Sequence, residues 1–175
     1  KRVLSISCPK ILDADALYWL AMEQEVKDLC AASSEPFFIT PHSAEAARLL
    51  DCPVSGVESD RMAATGLLAK RYQCFGVLKG PGSVFFAGQE RAICAQGNAG
   101  MATAGMGDVL SGIAGALVAE VAAKGENESA VLNHAFQSAV LWHSAAADLA
   151  AIELGQRSLM ATDVISFLPK AGQSA

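Results

Sequence analysis

Three short runs of branched and aromatic residues, each ending in polar residues, alternate with helical patterns in the first half of the chain. The runs are typical of buried strands and occupy residues 10–13, 37–40 and 75–79. The helical patterns between them occupy residues 14–21, 43–50 and 60–72, and Ser43 and Asp60 are the predicted N-caps of the last two. Strands that alternate with helices in this way predict an α/β domain with parallel strands.

The second half has a different pattern. Residues 83–87 and 91–95 flank a turn-like Gly88-Gln89-Glu90 and predict a hairpin at the sheet edge. The remainder is helical in pattern at residues 108–123, 127–152 and 162–168, and Pro169 is expected to stop the last helix. Because no linker or break in composition divides the chain, we expect one domain over residues 1–175.

Residues 96–112, QGNAGMATAGMGDVLSG, form a glycine-rich loop that leads into an apolar stretch. The glycines at 97, 100, 105 and 107 let backbone N–H groups approach a ligand closely. Asp108 stands at the start of the predicted helix, whose first amides and positive dipole end would face the loop. A phosphate or another anion is the expected ligand, although a lone Gly-x-Gly-Asp also suits a tight helix entry.

The composition of the chain limits the kinds of partner that it can bind. The formal net charge of -5 argues against non-specific binding of nucleic acid, which needs a surplus of Lys and Arg. The five cysteines contain no CxxC pair, so neither a disulfide framework nor a zinc site is predicted. No uninterrupted apolar run approaches the ~18 residues of a membrane span, and no signal-peptide pattern is present. We therefore expect a cytoplasmic protein that binds neither nucleic acid nor a membrane.

The first residues of the sequence indicate that it is part of a longer polypeptide. It starts at Lys1 rather than at methionine, and residues 1–7 have the pattern of the tail of a helix. We therefore expect that an N-terminal portion of the domain precedes this sequence.

Polar clusters follow the predicted strands. In a parallel α/β sheet, ligands bind beyond the carboxyl ends of the strands, so these clusters predict a site on one rim. The clusters are Asp13-Ala14-Asp15, residues 40–45, residues 79–83 and residues 97–108.

These residues also match a known family in order along the chain. The matching strings are LDADAL at 12–17, TPHSAE at 40–45, LKGPGS at 78–83, NAGMATAGMGDVLSG at 98–112 and ATD at 161–163. Together they resemble the ADP-dependent NAD(P)H-hydrate dehydratases, a ribokinase-like family that repairs hydrated nicotinamide cofactors. The likeness extends over residues 10–169, and the long string around Asp108 distinguishes this branch from the sugar kinases.

The resemblance implies a lyase with a ribokinase-like, mostly parallel sheet flanked by helices. It implies ADP-dependent dehydration of (6S)-NAD(P)H hydrate to NAD(P)H, with release of AMP and phosphate, and Mg²⁺ as cofactor. Family members are often tetramers, so a homo-oligomer is expected.

The resemblance also implies roles for individual residues. Asp108 would be the catalytic base, and His42 and Asp108 would contact the hydrated nicotinamide. The nucleotide would be held by Lys79, Gly80, Pro81, Gly82, Ser83, Asn98, Thr103 and Gly107. Supporting positions are Asp13, Asp15, Glu45 and Gly105, and the ligands of the metal are left unassigned. The chain departs from the family in Ser43 and Ala44, which replace Pro-Gly, and in Ser83, which replaces threonine; family members also carry substrate loops before this point.

Simpler interpretations remain open for most of these side chains. His42 would then close a turn, Glu45 would complement a helix dipole, Asp13 and Asp15 would cap a helix, and Lys79 would be a surface lysine. His134 and His143 are expected to be structural, and Met101 and Met106 to pack in the interior. Two other functions also remain open: a small-molecule kinase of the same fold, acting on a vitamin or a sugar, and a non-enzymatic nucleotide-binding fragment.

Overall fold

The computed structural model describes residues 2–173 and divides into two compact units, Lys1–Ile93 and Cys94–Ala175. The first unit contains a five-stranded sheet and the first five helices, and the second unit is helical. Each unit has a hydrophobic core of its own.

The sheet of the first unit is mixed. Its strands lie in the order β1 (Lys10–Leu12), β2 (Phe37–Ile39), β3 (Phe75–Leu78), β4 (Val84–Ala87) and β5 (Glu90–Ile93). The pairings of β1 with β2 and of β2 with β3 are parallel, and the two that follow are antiparallel. The three parallel strands and the hairpin are therefore confirmed. Glu90 pairs with Ala87 inside the ladder, so the hairpin turn is shorter than expected.

Five helices connect and cover these strands. They are α1 (Asp15–Met22), α2 (Gln24–Ala31), α3 (Ser43–Leu50), α4 (Val54–Ser59) and α5 (Arg61–Tyr72). The helices α2 and α4 were not predicted, because α2 is largely polar and α4 is only six residues long. Asp60 caps α5 as expected, since its side chain accepts a hydrogen bond from the Ala63 N–H at 2.8 Å.

The core of the first unit lies between the helices and the sheet. Strand residues such as Ile39 and Phe86 pack with helix residues such as Leu17, Leu49 and Leu68, and each of these five is at most 1% exposed. Burial of a leucine or phenylalanine side chain stabilises the folded state by about 1.5–3 kcal/mol. This packing fixes the strands whose ends carry the predicted polar clusters.

The second unit consists of three helices and two single 3₁₀ turns within its described part, which ends at residue 173. The helices are α6 (Met106–Ala123), α7 (Ser129–Leu154) and α8 (Ala161–Ala171), and the 3₁₀ turns are Ala99–Met101 and Gln156–Ser158. Small residues on α7, Ala146, Ala147 and Ala150, are fully buried against the other helices. Met106 is buried in this core and Met101 packs against it, which confirms their expected packing roles.

The end of α8 corrects the prediction. Pro169 does not stop the helix, which continues to Ala171. Proline removes one backbone donor, and in the last turn that loss affects a single intrahelical bond. The carbonyl of Leu168 still accepts hydrogen bonds from the Gly172 N–H and from Trp142 Nε1.

The expectation of a helix tail at the start of the chain is not met in the described residues. Residues 2–8 form turns and bends, with hydrogen bonds from Ile6 N–H to the Val3 carbonyl and from Ser5 Oγ to the Arg2 carbonyl. Serine side chains that bond the backbone compete with helix formation. Lys1 lies outside the described residues.

Within residues 2–173, one helix, α6, is long and apolar enough by length and composition to cross a membrane, with a mean hydropathy of 1.5 over 18 residues. Asp108, Ser111 and Glu120 interrupt its apolar residues, so this stretch contains no uninterrupted apolar run of that length. The interior helix of a water-soluble protein meets the same criterion, so this finding is weak evidence for a membrane span.

Candidate active site

The ends of the three parallel strands meet at one edge of the sheet. The Thr40 N–H and its Oγ1 both donate to the Leu12 carbonyl, at 3.3 and 3.4 Å. The Lys79 N–H donates to the Pro41 carbonyl at 2.8 Å. These bonds bring together the polar clusters that follow β1, β2 and β3, as the parallel topology predicts.

Lys79 and Asp13 form an ion pair at this edge. The ammonium Nζ donates to Asp13 Oδ1 at 2.8 Å, and the two side chains are only 21% and 16% exposed. Lys79 is therefore not an isolated surface lysine. Asp13 is not a helix cap either, because Ala14 occupies the N-cap of α1 and Asp15 lies exposed in its first turn.

The loop after Lys79 is closed by Ser83. The Gly80 N–H donates to Ser83 Oγ at 3.3 Å, and that hydroxyl donates to the Gly80 carbonyl at 3.1 Å. Gly80 has φ +147° and Gly82 has φ +62°, backbone conformations that residues with a side chain rarely adopt. Pro81 lies exposed between them. Neither glycine can therefore be replaced without backbone strain, and at Gly80 an added Cβ would also meet the Arg61 guanidinium.

His42 and Glu45 form a reciprocal cap on α3. His42 Nδ1 accepts hydrogen bonds from the backbone N–H groups of Ala44 and Glu45, at 3.1 and 3.3 Å. Glu45 Oε2 accepts from the His42 N–H at 2.8 Å. The N-cap of α3 is therefore His42 and not Ser43, because the imidazole accepts from the first amides of the helix while the Ser43 hydroxyl donates to Glu58.

The cap leaves the two side chains in different environments. Glu45 is buried at 9% exposure with its carboxylate committed to the cap, whereas the His42 side chain is 55% exposed. An Nδ1 that accepts two hydrogen bonds places the ring proton on Nε2, which lies 3.5 Å from Glu45 Oε1. The capping roles are thus observed, and contact of His42 with a ligand stays a prediction.

In the second unit, the glycine-rich loop is held by Asn98 and by Asp148 on α7. Asp148 accepts hydrogen bonds from the Gly97 N–H and from Asn98 Nδ2, both at 2.9 Å. Asn98 Nδ2 also donates to the Ala147 carbonyl, and Asn98 Oδ1 accepts from the Gly100 N–H. Sequence analysis missed Asp148; its signal is a carboxylate inside an alanine-rich helical stretch.

The loop ends at the uncapped N-terminus of α6. Gly105 is the N-cap, with φ +85°, and no side chain of the described residues caps this terminus. The first intrahelical bond runs from the Val109 N–H to the Gly105 carbonyl, so the N–H groups of Met106, Gly107 and Asp108 have no partner within the helix. Such a terminus favours an anion.

Asp108 is the third residue of α6 and is exposed. The helix begins two residues earlier than predicted because Met106 and Gly107 already have helical geometry. Elsewhere on the loop, Thr103 lines a cavity of about 380 Å³ together with Gly100, Gln156 and Arg157. The second unit thus presents an exposed carboxylate at a helix N-terminus and a concave surface beside the same loop.

Two buried groups outside these clusters have strongly shifted pKa values. Burial lowers the pKa of His143 to about 4, and its Nε2 has no hydrogen-bond partner among the described residues. Burial raises the pKa of the Cys74 thiol well above its usual range, which keeps it protonated and unreactive. His134 lies exposed on α7.

A family model described as NAD(P)H-hydrate dehydratase matches residues 1–170. The chain belongs to the NAD(P)H-hydrate dehydratase family. A relative named bifunctional NAD(P)H-hydrate repair enzyme Nnr, from Vibrio cholerae, is 45% identical over 168 residues, which are 96% of this chain and 31% of the relative. A relative from Neisseria meningitidis, named ADP-dependent (S)-NAD(P)H-hydrate dehydratase, is 43% identical over 113 residues, or 64% of this chain and 38% of the relative.

A solved structure supports the same assignment. The ADP/ATP-dependent NAD(P)H-hydrate dehydratase from Bacillus subtilis, co-crystallised with ATP and Mg²⁺, is 28% identical, with a TM-score of 0.82 over 98% of this chain. The α/β, ribokinase-like fold predicted from the sequence is thereby confirmed. This member of the NAD(P)H-hydrate dehydratase family spans 57% of the Bacillus chain and about a third of the Vibrio relative.

Proposed function

We propose that the protein catalyses the ADP-dependent dehydration of (6S)-NAD(P)H hydrate to NAD(P)H, with release of AMP and phosphate. The observation that carries the proposal is the uncapped N-terminus of α6, where unpaired amides stand beside the exposed carboxylate of Asp108. Family membership and the Neisseria relative, which is named for the ADP-dependent reaction, support the choice of substrate and phosphoryl donor.

The chemistry requires a better leaving group than hydroxide. Transfer of the β-phosphoryl group of ADP to the hydroxyl of the hydrated ring forms a new P–O bond and breaks the bond to AMP. The lone pair of the ring nitrogen then expels phosphate as the C–O bond breaks, and loss of a proton from the adjacent carbon restores the double bond. The sum is loss of water from the hydrate and hydrolysis of ADP to AMP and phosphate.

Asp108 is the base for the hydroxyl proton in this scheme. Its exposed carboxylate is accessible to a substrate hydroxyl, and general bases of this kind typically contribute ~10²–10⁴-fold. The N–H groups of Met106, Gly107 and Asp108 stabilise the negative charge on the transferred group. Gly105 gives the loop the left-handed turn that exposes these amides.

The loop after β3 is the proposed binding segment for the adenine nucleotide. Gly80, Pro81, Gly82 and Ser83 present the backbone, and Lys79 supplies a cation whose charge is balanced by Asp13 in the absence of phosphate. Thr103, Asn98 and Gly107 are the proposed nucleotide contacts of the second unit. Asp15 and Glu45 support the site through the starts of α1 and α3.

The exposed imidazole of His42 is the proposed contact for the hydrated nicotinamide. Its Nδ1 is occupied by the cap of α3, so Nε2–H is the atom that can donate to a substrate oxygen. The cap therefore fixes both the orientation of the ring and its tautomer.

In this proposal the magnesium ion is carried by the phosphates of the nucleotide. Within residues 2–173, no group of three or more His, Cys, Asp and Glu side chains could hold a metal ion. Mg²⁺ usually keeps several waters and binds substrate phosphates, and it neutralises charge on them during phosphoryl transfer. We further propose that the protein is a single domain, that it is cytoplasmic and that it forms a homo-oligomer such as a tetramer. Size-exclusion chromatography with light scattering tests the oligomeric state.

The deciding experiment measures the three reaction products that form when the full-length protein is supplied with NAD(P)H hydrate, ADP and Mg²⁺. We expect recovery of the absorbance of reduced nicotinamide, with AMP and free phosphate in equal amounts. Omission of ADP and the Asp108→Asn variant are the controls. A stable phosphoester in place of free phosphate would identify a small-molecule kinase, and nucleotide binding without any product would identify a non-enzymatic binding protein.

A further inference from the structure

The guanidinium of Arg61 joins two loops at the carboxyl edge of the sheet. Arg61 is the first residue of α5, and its side chain is 15% exposed. Nη2 donates to the carbonyls of Leu78 and Lys79, at 3.1 and 3.3 Å. Nη1 donates to Ser43 Oγ and to Glu58 Oε1, both at 3.3 Å. One side chain therefore holds the end of β3 and the start of α3.

On the β3 side, Arg61 completes the fixation of Lys79. The Lys79 N–H donates to the Pro41 carbonyl, and its ammonium donates to Asp13. The Lys79 carbonyl accepts from Arg61, so three groups of this residue are held by hydrogen bonds. Arg61 also packs against the next residue, because a Cβ at Gly80 would lie 2.8 Å from Nη1. The path of the loop 79–83 thus depends on the guanidinium.

On the α3 side, Arg61 acts through Ser43 and Glu58. Ser43 directly follows the N-cap His42, and its hydroxyl donates to the Glu58 carboxylate that also pairs with Arg61. These three side chains form a closed set of hydrogen bonds at the first turn of α3. The set anchors the segment that carries the exposed imidazole.

The geometry requires arginine rather than any cation. The planar fork aims two nitrogens at two different loops, whereas a lysine offers a single nitrogen on a flexible stem. Arg61 Nε is buried without a hydrogen-bond partner among the described residues. A buried donor left unused is unfavourable, so the hydrogen bonds of the two Nη groups must offset this cost of placing an arginine here.

We propose that Arg61 is a positioning residue for the reaction: it fixes the nucleotide loop 79–83 relative to His42. This inference rests on the proposed function, because it assigns nucleotide binding to that loop. Arg61 touches neither substrate in this scheme. It acts through the backbone of Leu78 and Lys79 and through Ser43.

The test compares Arg61→Met, Arg61→Lys, Arg61→Ala and the control Arg71→Met in the full-length protein. Arg71 lies exposed in the last turn of the same helix, near the ring of Tyr72. We expect Arg61→Met to raise the KM for ADP at least about tenfold, the effect typical of lost hydrogen bonds to a charged group. Arg61→Lys, which keeps the charge and loses the fork, should remain impaired, and millimolar guanidinium should partly rescue Arg61→Ala.

Two results would overturn the inference in an active protein. One is a KM for ADP in Arg61→Met equal to that of Arg71→Met, and the other is full restoration by Arg61→Lys. If Arg61→Met does not fold, as judged by thermal unfolding, Arg61→Lys decides on the same KM. A wild-type protein that neither binds ADP with Mg²⁺ in calorimetry nor restores NAD(P)H would overturn the proposed function, and the Arg61 inference with it.

Discussion

The ammonium of Lys79 donates to the carboxylate of Asp13 at 2.8 Å, and the pair joins the ends of β1 and β3 across the end of β2. Neither side chain is more than 21% exposed. The residue proposed to bind phosphate therefore also holds the sheet edge together.

Lys79→Ala should weaken both ligand binding and the fold. Loss of a charge-assisted contact predicts roughly ten to a hundredfold weaker binding of ADP, and Asp13 loses its lysine partner at a free-energy cost of about 1–3 kcal/mol. Calorimetric titration with ADP and Mg²⁺ and urea denaturation measure the two effects. The matched control is Lys70→Ala, an exposed lysine of α5. Unchanged ADP affinity would remove Lys79 from the nucleotide site.

Asp108→Asn should abolish base catalysis while preserving the helix start. Asparagine keeps the shape of the side chain but cannot accept the hydroxyl proton, so turnover should fall at least ~10²-fold with the KM for ADP nearly unchanged. The assay is recovery of reduced nicotinamide from its hydrate. Glu120→Gln on the same helix is the control, because Glu120 is exposed and pairs only locally with Lys124. Normal turnover in Asp108→Asn would disprove the mechanism.

Asp148→Ala should release the glycine-rich loop from α7. The N–H of Gly97 and the amide of Asn98 lose their shared acceptor, which predicts destabilisation by about 1–3 kcal/mol. Hydrogen exchange of the loop amides should accelerate, whereas the exposed control Glu153→Ala on the same helix should leave it unchanged. Equal exchange in the two variants would show that other contacts hold the loop.

Two glycines should respond in opposite directions to alanine. A Cβ at Gly100 would lie 2.6 Å from the Gln156 carbonyl oxygen, so Gly100→Ala must displace backbone and destabilise the second unit. A Cβ at Gly112, inside α6, meets nothing within 4 Å, and Gly112→Ala should stabilise by about 0.5–1 kcal/mol through helix propensity. Thermal unfolding of both variants tests the pair, and stabilisation by Gly100→Ala would refute the close approach.

His143 should make the fold sensitive to acid. Burial lowers its pKa to about 4 in the folded state, below the ~6.5 of an unfolded chain, so the unfolded state binds more protons between these values. Above pH 6.5 this group does not lower the free energy of unfolding. As the pH falls from 6.5 to about 4, the free energy of unfolding decreases by at most about 3 kcal/mol. His143→Gln should flatten this part of the pH profile in denaturant titrations, and the exposed control His134→Gln should not. Parallel profiles for His143→Gln and the wild type would contradict the assignment.

Much of the first unit could be predicted from the sequence because its signals are local. The strand before Asp13 and the cap at Asp60 depend on a few adjacent residues, and both were placed within one residue. The cap of α3 was misassigned because histidine is an uncommon cap, and only the fold shows that its Nδ1 reaches two amides.

Long-range contacts account for what the sequence could not predict. The Lys79–Asp13 pair spans 66 positions, and the bonds of Asn98 to α7 span about 50. The role of Arg61 was missed for the same reason, since an arginine that begins a helix ordinarily faces solvent. Pro169 was misjudged because a proline in the last turn of a helix removes only one bond.

The two tryptophans of the chain fall one in each unit. Trp19 on α1 is 51% exposed, whereas Trp142 on α7 is partly buried with Nε1 bonded to the Leu168 carbonyl at 2.8 Å. Their emission therefore reports on different units, and the two side chains differ in their exposure to solvent. In Trp19→Phe the remaining fluorescence follows the docking of α8 on α7, and in Trp142→Phe it follows the first unit, so a comparison of the two unfolding curves measures the cooperativity between the two halves of the chain.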